Sequence, residues 1–195
     1  NVTRHANIFA ILFDIADKQK QEKILKNVLE NDEIPAITTP YFNFFELDVL
    51  CQMGKLTEVL DKIRSYWGGM LDLGAVTFWE EYDPSVPKEE QYDMYGDHFG
   101  KSLCHAWAAS PIYFLAKYFA GLDLVNKDGV TYVLKPQMQY FTDLDCILPV
   151  GSDGTVRLAW DGECLEVIAD AEGGVLELGE EKISLVRGET RRVKI

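Results

Sequence analysis

The chain has 195 residues, 47% of them apolar and 26% charged, enough for one large or two small buried cores. Its formal net charge of -13 excludes the basic surface that nucleic acid requires and disfavours an anionic membrane surface. No apolar run is long enough to cross a bilayer, and Asn1-Val-Thr-Arg4 shows no leader pattern, which leaves cytoplasm and periplasm both open.

From Thr3 to about Leu122 the apolar spacing is helical. Ile8, Ile11, Leu12 and Ile15 form one stripe, and Ile24, Leu25, Val28 and Leu29 form another. After the loop Ile34–Pro40, Thr39 is placed to cap a helix with Pro40 at its first position. That helix is predicted over Tyr41–Met53 and stopped by Gly54; the next covers Leu56–Met70 and weakens at Gly68-Gly69. A last helix is predicted from Ser102, with Ser110-Pro111 either restarting or kinking it.

Beyond about Asp123 the period changes to two. Val130–Leu134, Thr155–Trp160, Cys164–Ala169 and Lys182–Val186 read as strands, with turns at Asp153-Gly154, Asp161-Gly162 and Gly173-Gly174. The predicted class is mainly α plus β: helical hairpins over 1–122, then a small antiparallel β-sandwich over 123–195. The cysteines Cys51, Cys104, Cys146 and Cys164 form no C-x-x-C pair and read as buried free thiols.

Short connections pair the helices as hairpins. Helices starting near Arg4, Tyr41 and Ser102 would then begin at one end, where the loops Asn1–His5, Ile34–Pro40 and Gly74–Phe99 converge. The third loop is long, aromatic and acidic, which places the chemistry there. Glu80 follows Phe78-Trp79, whose apolar faces suit a sugar ring, and could act as general acid or base. It could equally be a surface acid or a helix N-terminal charge. Glu81 and Asp83 are weaker candidates. His105 could bond a sugar hydroxyl or hold a carboxylate, or be satisfied within the core. Trp107 is either a platform or core, and Trp67, Phe42 and Tyr41 read as packing. His5 and Asn7 are explained by capping. The sequence holds no H-E-x-x-H, no phosphate-binding glycine loop and no G-x-S-x-G elbow, so no metal or cofactor is expected.

Thr77-Phe-Trp-Glu80, preceded by Gly74-Ala75, resembles the G-A-T-T-x-W-E signature of bacterial α-L-rhamnosidases of glycoside hydrolase family 78. Ser102-Leu-Cys-His-Ala-Trp107 with Pro111-Ile-Tyr113 is similar to that family's S-L-C-H-G-W…P-x-Y-x-L segment. Thr39-Pro-Tyr-Phe42, His5-Ala-Asn7, Lys135-Pro136 and the Gly154–Trp160 strand extend the resemblance along the chain. Val76 and Ala106 depart from the pattern.

The resemblance implies a toroid of helical hairpins, an (α/α)6 barrel, of which this chain holds the last part. It implies hydrolysis of terminal α-linked L-rhamnose with inversion, which uses two carboxyl groups roughly 6.5–9.5 Å apart. Glu80 matches the base, His105 a histidine of the sugar site, and Trp79 and Trp107 fall in the motifs that shape it. The family's general acid lies on a segment absent here, so the chain alone is expected to be inactive. Uncovered helix faces would then favour association with a second copy or with the missing half. The competing expectations are another inverting toroid glycosidase with a different sugar, and a non-catalytic carbohydrate-binding or assembly module.

Overall fold

The computed structural model describes residues 2–127 and 130–195, the side chain of Lys127 excepted. Asn1, part of the first converging loop, lies outside the described residues. The chain forms two compact units, Asn1–Pro111 and Ile112–Ile195. Helix and sheet together make the class α plus β.

The first unit is helical. Helix α1 (Arg4–Leu12) buries Ile8 and Ile11. It stops sooner than the apolar spacing predicts: Asp14 adopts φ 52°, and Ile15, expected on the buried stripe, is 74% exposed. Asp17 then caps α2 (Lys18–Ile24) by accepting the Lys20 amide at 2.9 Å, a bond that holds its carboxyl below the ordinary value. A π-helical turn, Leu25–Leu29, continues α2 and buries Leu25, Val28 and Leu29.

Helix α3 (Pro40–Gln52) packs against α1 and against α4 (Leu56–Lys62). Thr39 occupies the cap position, but its hydroxyl makes no capping bond; Pro40 supplies the preset φ of a first helical residue. The end of α3 is a Schellman motif. Gly54, at φ 75°, donates to the Cys51 carbonyl, and Lys55 donates to the Leu50 carbonyl. Helix α4 carries on through the turn Ile63–Trp67 into α5 (Gly68–Asp72), burying Val59, Leu60, Tyr66, Trp67 and Met70.

One ionic cluster crosses this core. Arg4 donates to Glu46 Oε1 at 3.0 Å and to the carbonyls of Leu29, Asn31 and Ile34, and Lys62 donates to the same Glu46 oxygen. Arg4 and Glu46 are both buried. Three separate stretches of chain thus meet at one carboxylate.

The helix predicted from Ser102 does not form. A single 3-10 turn covers Ala106–Ala108, and α6 (Ser110–Phe114) begins only at the Ser-Pro step. Backbone groups of residues 102 and 105 are bonded instead to residues 80 and 78, and Pro111, tolerated in the first turn of a helix but not in its interior, sets where α6 begins.

The second unit continues α6 with a π-helical turn, Leu115–Phe119, and then forms two four-stranded sheets. The first has the order β1 (Leu122–Lys127), β2 (Val130–Leu134), β6 (Gly174–Leu178), β7 (Glu181–Leu185). The second has the order β3 (Leu144–Val150), β4 (Gly154–Trp160), β5 (Cys164–Asp170), β8 (Thr190–Lys194). Tyr132, Leu134, Leu176 and Leu185 of the first share one core with Leu148, Val156, Leu158, Leu165 and Val167 of the second. The antiparallel expectation needs one correction: β2 and β6 run parallel. Strands β3 and β8, unmarked in the sequence, are both edges. Pro149 lies in one, and Arg191, Arg192 and Lys194 in the other, as edge strands tolerate. The expectation of buried thiols also fails in part: Cys51 is buried, but Cys104 is exposed and Cys146 and Cys164 are half-buried.

Gly121 ends the helical turn at φ 73°, and a Cβ there would lie 2.1 Å from the Lys135 carbonyl oxygen. The same two residues are joined by the Lys135 amide donating to the Gly121 carbonyl at 2.9 Å. Gly121→Ala is therefore expected to destabilise the β unit by about 2–4 kcal/mol, through both the left-handed φ and a clash with backbone. Urea unfolding of the variant measures it, and a loss under 0.5 kcal/mol would show that the loop relaxes freely.

Candidate functional site

All of the site's described contacts lie in the helical unit. Residues 77–80 run beside residues 102–105: Glu80 N–H donates to the Ser102 carbonyl at 2.9 Å, and His105 N–H to the Phe78 carbonyl at 2.8 Å. The Thr77 hydroxyl bonds the Leu103 carbonyl between them. The two motifs, far apart in sequence, are thereby locked side by side.

Other bonds tie this pair to the preceding loop. Tyr82 N–H donates to the Thr38 carbonyl at 3.0 Å, the Thr38 hydroxyl donates to Glu81 Oε1 at 2.8 Å, and the Tyr66 hydroxyl also reaches the Thr38 carbonyl. Burial pushes the Tyr66 phenol well above its ordinary pKa. Trp67 Nε1 donates to the Ala108 carbonyl at 2.8 Å, fixing the turn after His105. The long loop is held from within by buried Gln91, whose amide donates to the carbonyls of Asp83 and Val86.

Glu80 sits where these segments meet, with its side chain 13% exposed. Ser102 N–H donates to its Oε2 at 3.1 Å, and the Tyr95 hydroxyl donates to its Oε1 at 3.3 Å. His105 Nδ1 is 3.8 Å from Oε2, close enough for attraction when protonated but too long for a good hydrogen bond. His105 is extended, with φ -120° and ψ 109°, rather than in the first turn of a helix as predicted. Its ring lies 4.3 Å from that of Trp107, and Trp107 lies 5.0 Å from Tyr41. Trp107 is 52% exposed, so it presents an aromatic face beside His105.

Trp79 is placed differently. It is 3% exposed and meets Tyr92 edge-on at 5.7 Å. It packs the loop from beneath and shapes the site without facing outward. Glu81 is bonded by Thr38, and Asp83 accepts from both the amide and the hydroxyl of Ser85, so both acids build the loop. His5 packs on Phe42 at 4.1 Å, and the Asn7 amide donates to the Thr3 carbonyl.

Two residues were not singled out by sequence reasoning. Tyr95 was hidden in an irregular loop, where Gly96 is the one local hint of a turn. Lys101 is buried; burial lowers its pKa, while the charges of Glu81, Asp83, Asp93 and Glu80 oppose that shift. Among the described residues, no group of three or more His, Cys, Asp or Glu is arranged to hold a metal ion.

The arrangement can hold a carboxylate in one orientation and leave it beside an imidazole and an exposed indole. No family model matches the chain, and a search of curated proteins found no match. Among solved structures, the chain is similar to a GH78 family rhamnosidase of Bacillus sp. GL1, with a TM-score of 0.72 and 22% identity. The likeness is one of fold. It covers 95% of this chain and 20% of that one, so the chain spans about a fifth of the rhamnosidase's length.

Proposed function

We propose that this chain is the C-terminal part of an inverting glycoside hydrolase that removes terminal α-linked L-rhamnose, with Glu80 as the water-activating base. The observation that carries this reading is the Glu80 carboxylate itself. It accepts from the Ser102 amide and the Tyr95 hydroxyl, 3.8 Å from His105, in a segment that resembles a rhamnosidase signature. The fold likeness to a GH78 rhamnosidase supports it from an independent direction.

In this reading the helices are one part of an (α/α)6 toroid, and the general acid comes from another part of the intact enzyme. A carboxylate held by two neutral donors beside an imidazole, and still partly exposed, is placed to meet a water. His105 and Trp107 form the sugar-facing surface: the imidazole for a hydroxyl, the indole for the apolar face of the ring. Exposed Phe13, Ile15 and Leu71 are surfaces that the rest of the toroid or a second copy would cover.

The test is hydrolysis by the intact enzyme of aryl α-L-rhamnoside against the matching glucoside and glucuronide. The expected result is turnover of the rhamnoside with the β-anomer of rhamnose appearing first by NMR. The 195-residue chain alone is expected to show no turnover. Preferred cleavage of another sugar, an α-anomeric first product, or turnover by the chain alone would each overturn the reading.

A further inference from the structure

Three described residues other than glycine adopt a left-handed backbone: Asp14, Asn126 and Tyr95. Aspartate and asparagine tolerate this conformation because their short polar side chains bond locally. Tyrosine has no such compensation. Tyr95 occupies the tip of a two-residue turn closed by Met94 and Asp97, whose amides and carbonyls exchange bonds at 2.9 Å in both directions. Both tip residues have positive φ, 56° at Tyr95 and 83° at Gly96. Such mirror-image turns favour asparagine, aspartate or glycine at the position Tyr95 holds.

Burial does not compensate for the mismatch, because Tyr95 is 85% exposed. Its ring is therefore disfavoured by the backbone and gains little from packing. The hydroxyl, however, has a specific partner fifteen residues away, Glu80 Oε1 at 3.3 Å.

We infer that Tyr95 is a positioning residue for Glu80: from the strained turn tip its hydroxyl holds Oε1 while the Ser102 amide holds Oε2, fixing the plane of the carboxylate. This rests on the reading of Glu80 as the base. A carboxylate gripped at one oxygen only can rotate about its last side-chain bond; gripped at both it keeps one lone pair aimed at the bound water. The strain is kept because the geometry it produces serves the reaction and not the fold. The charge of Glu80 beside it also raises the Tyr95 phenol pKa, with the hydrogen bond to Glu80 and the charge of Glu81 adding to the shift. Among the described residues, the titratable groups His105 and Lys101 also lie near Glu80.

Two substitutions separate positioning from structure. Tyr95→Phe removes only the hydroxyl. In the intact enzyme it is expected to lower kcat roughly ten-fold with KM changed less than about two-fold, and to leave Tm unchanged. Tyr95→Asn supplies the residue the turn favours. It is expected to raise Tm by about 2–4 °C while lowering kcat to the same degree. In the chain itself, the Tyr95 ring carbon followed by NMR is expected to titrate above the ordinary tyrosine range, and Glu80→Gln is expected to bring it down. A lower Tm for Tyr95→Asn, unchanged kcat in both variants, or a Tyr95 titration indifferent to Glu80→Gln would overturn the inference. If Glu80→Gln itself retains turnover, the base assignment falls and the positioning role falls with it. If Glu80→Gln is inactive while Tyr95→Phe turns over normally, only the positioning role falls.

Discussion

Glu80→Gln is expected to lower kcat of the intact enzyme by about two to four orders of magnitude, the usual contribution of a general base. The substitution preserves shape. The amide oxygen can still accept from the Ser102 N–H, and the amide nitrogen can donate to the Tyr95 oxygen, so both present partners are satisfied. What disappears is the negative charge and the ability to take a proton from water. Circular dichroism and L-rhamnose binding should therefore change little while turnover collapses. Glu81→Gln serves as the contrast. That carboxylate is bonded by Thr38 on the other side of the loop, so its neutralisation should cost far less activity. Near-normal turnover by Glu80→Gln, with Glu81→Gln inactive, would reverse the assignment.

Glu46→Ala should produce the largest loss of stability in the helical unit, about 3–5 kcal/mol. Glu46 is the carboxylate shared by Arg4 and Lys62, and its removal leaves buried Arg4 and half-buried Lys62 close together without that counter-charge. Arg4 would still bond the carbonyls of Leu29, Asn31 and Ile34, which limits unfolding of the loop but not the charge penalty. Urea unfolding should show a lower midpoint. A loss under about 1 kcal/mol would mean that water reaches the cluster.

Lys62→Met should behave differently, because Arg4 still pairs with Glu46. Burial lowers the Lys62 pKa below 10.5; the Glu46 charge opposes the shift and Arg4 adds to it. Between the lowered folded pKa and the unfolded value, the unfolded chain binds more protons, so stability rises with pH across that window. The penalty is full below the folded pKa. Lys62→Met should abolish this rise and cost little at neutral pH; a persistent rise in the variant would assign it to another group.

The secondary structure was legible where its causes are local. Pro40 at a helix start and Gly54 past a helix end act on residues within a turn of themselves, and α3 forms between them. The period-two runs of β4 and β5 were legible for the same reason. Edge strands β3 and β8 were not, because their proline and charged residues are signals that usually argue against a strand. The parallel pairing of β2 with β6 joins residues about forty positions apart, and no local pattern encodes it. The helix predicted from Ser102 failed because apolar spacing cannot show that backbone groups of residues 102 and 105 are already bonded to residues 80 and 78.

The sequence by itself determined that the chain is acidic, helical first and stranded later, and that one aromatic, acidic loop carries Glu80 near a His/Trp motif. These properties depend on composition and on neighbours a few positions away. Only the tertiary structure decided which atoms face Glu80. Its two oxygens are held by Tyr95 and Ser102, 15 and 22 residues distant, while Trp79 beside it turns inward to pack. A carboxylate's surroundings depend on which distant backbone segments pack against it, and that follows from burying the whole core at once rather than from any short stretch of residues.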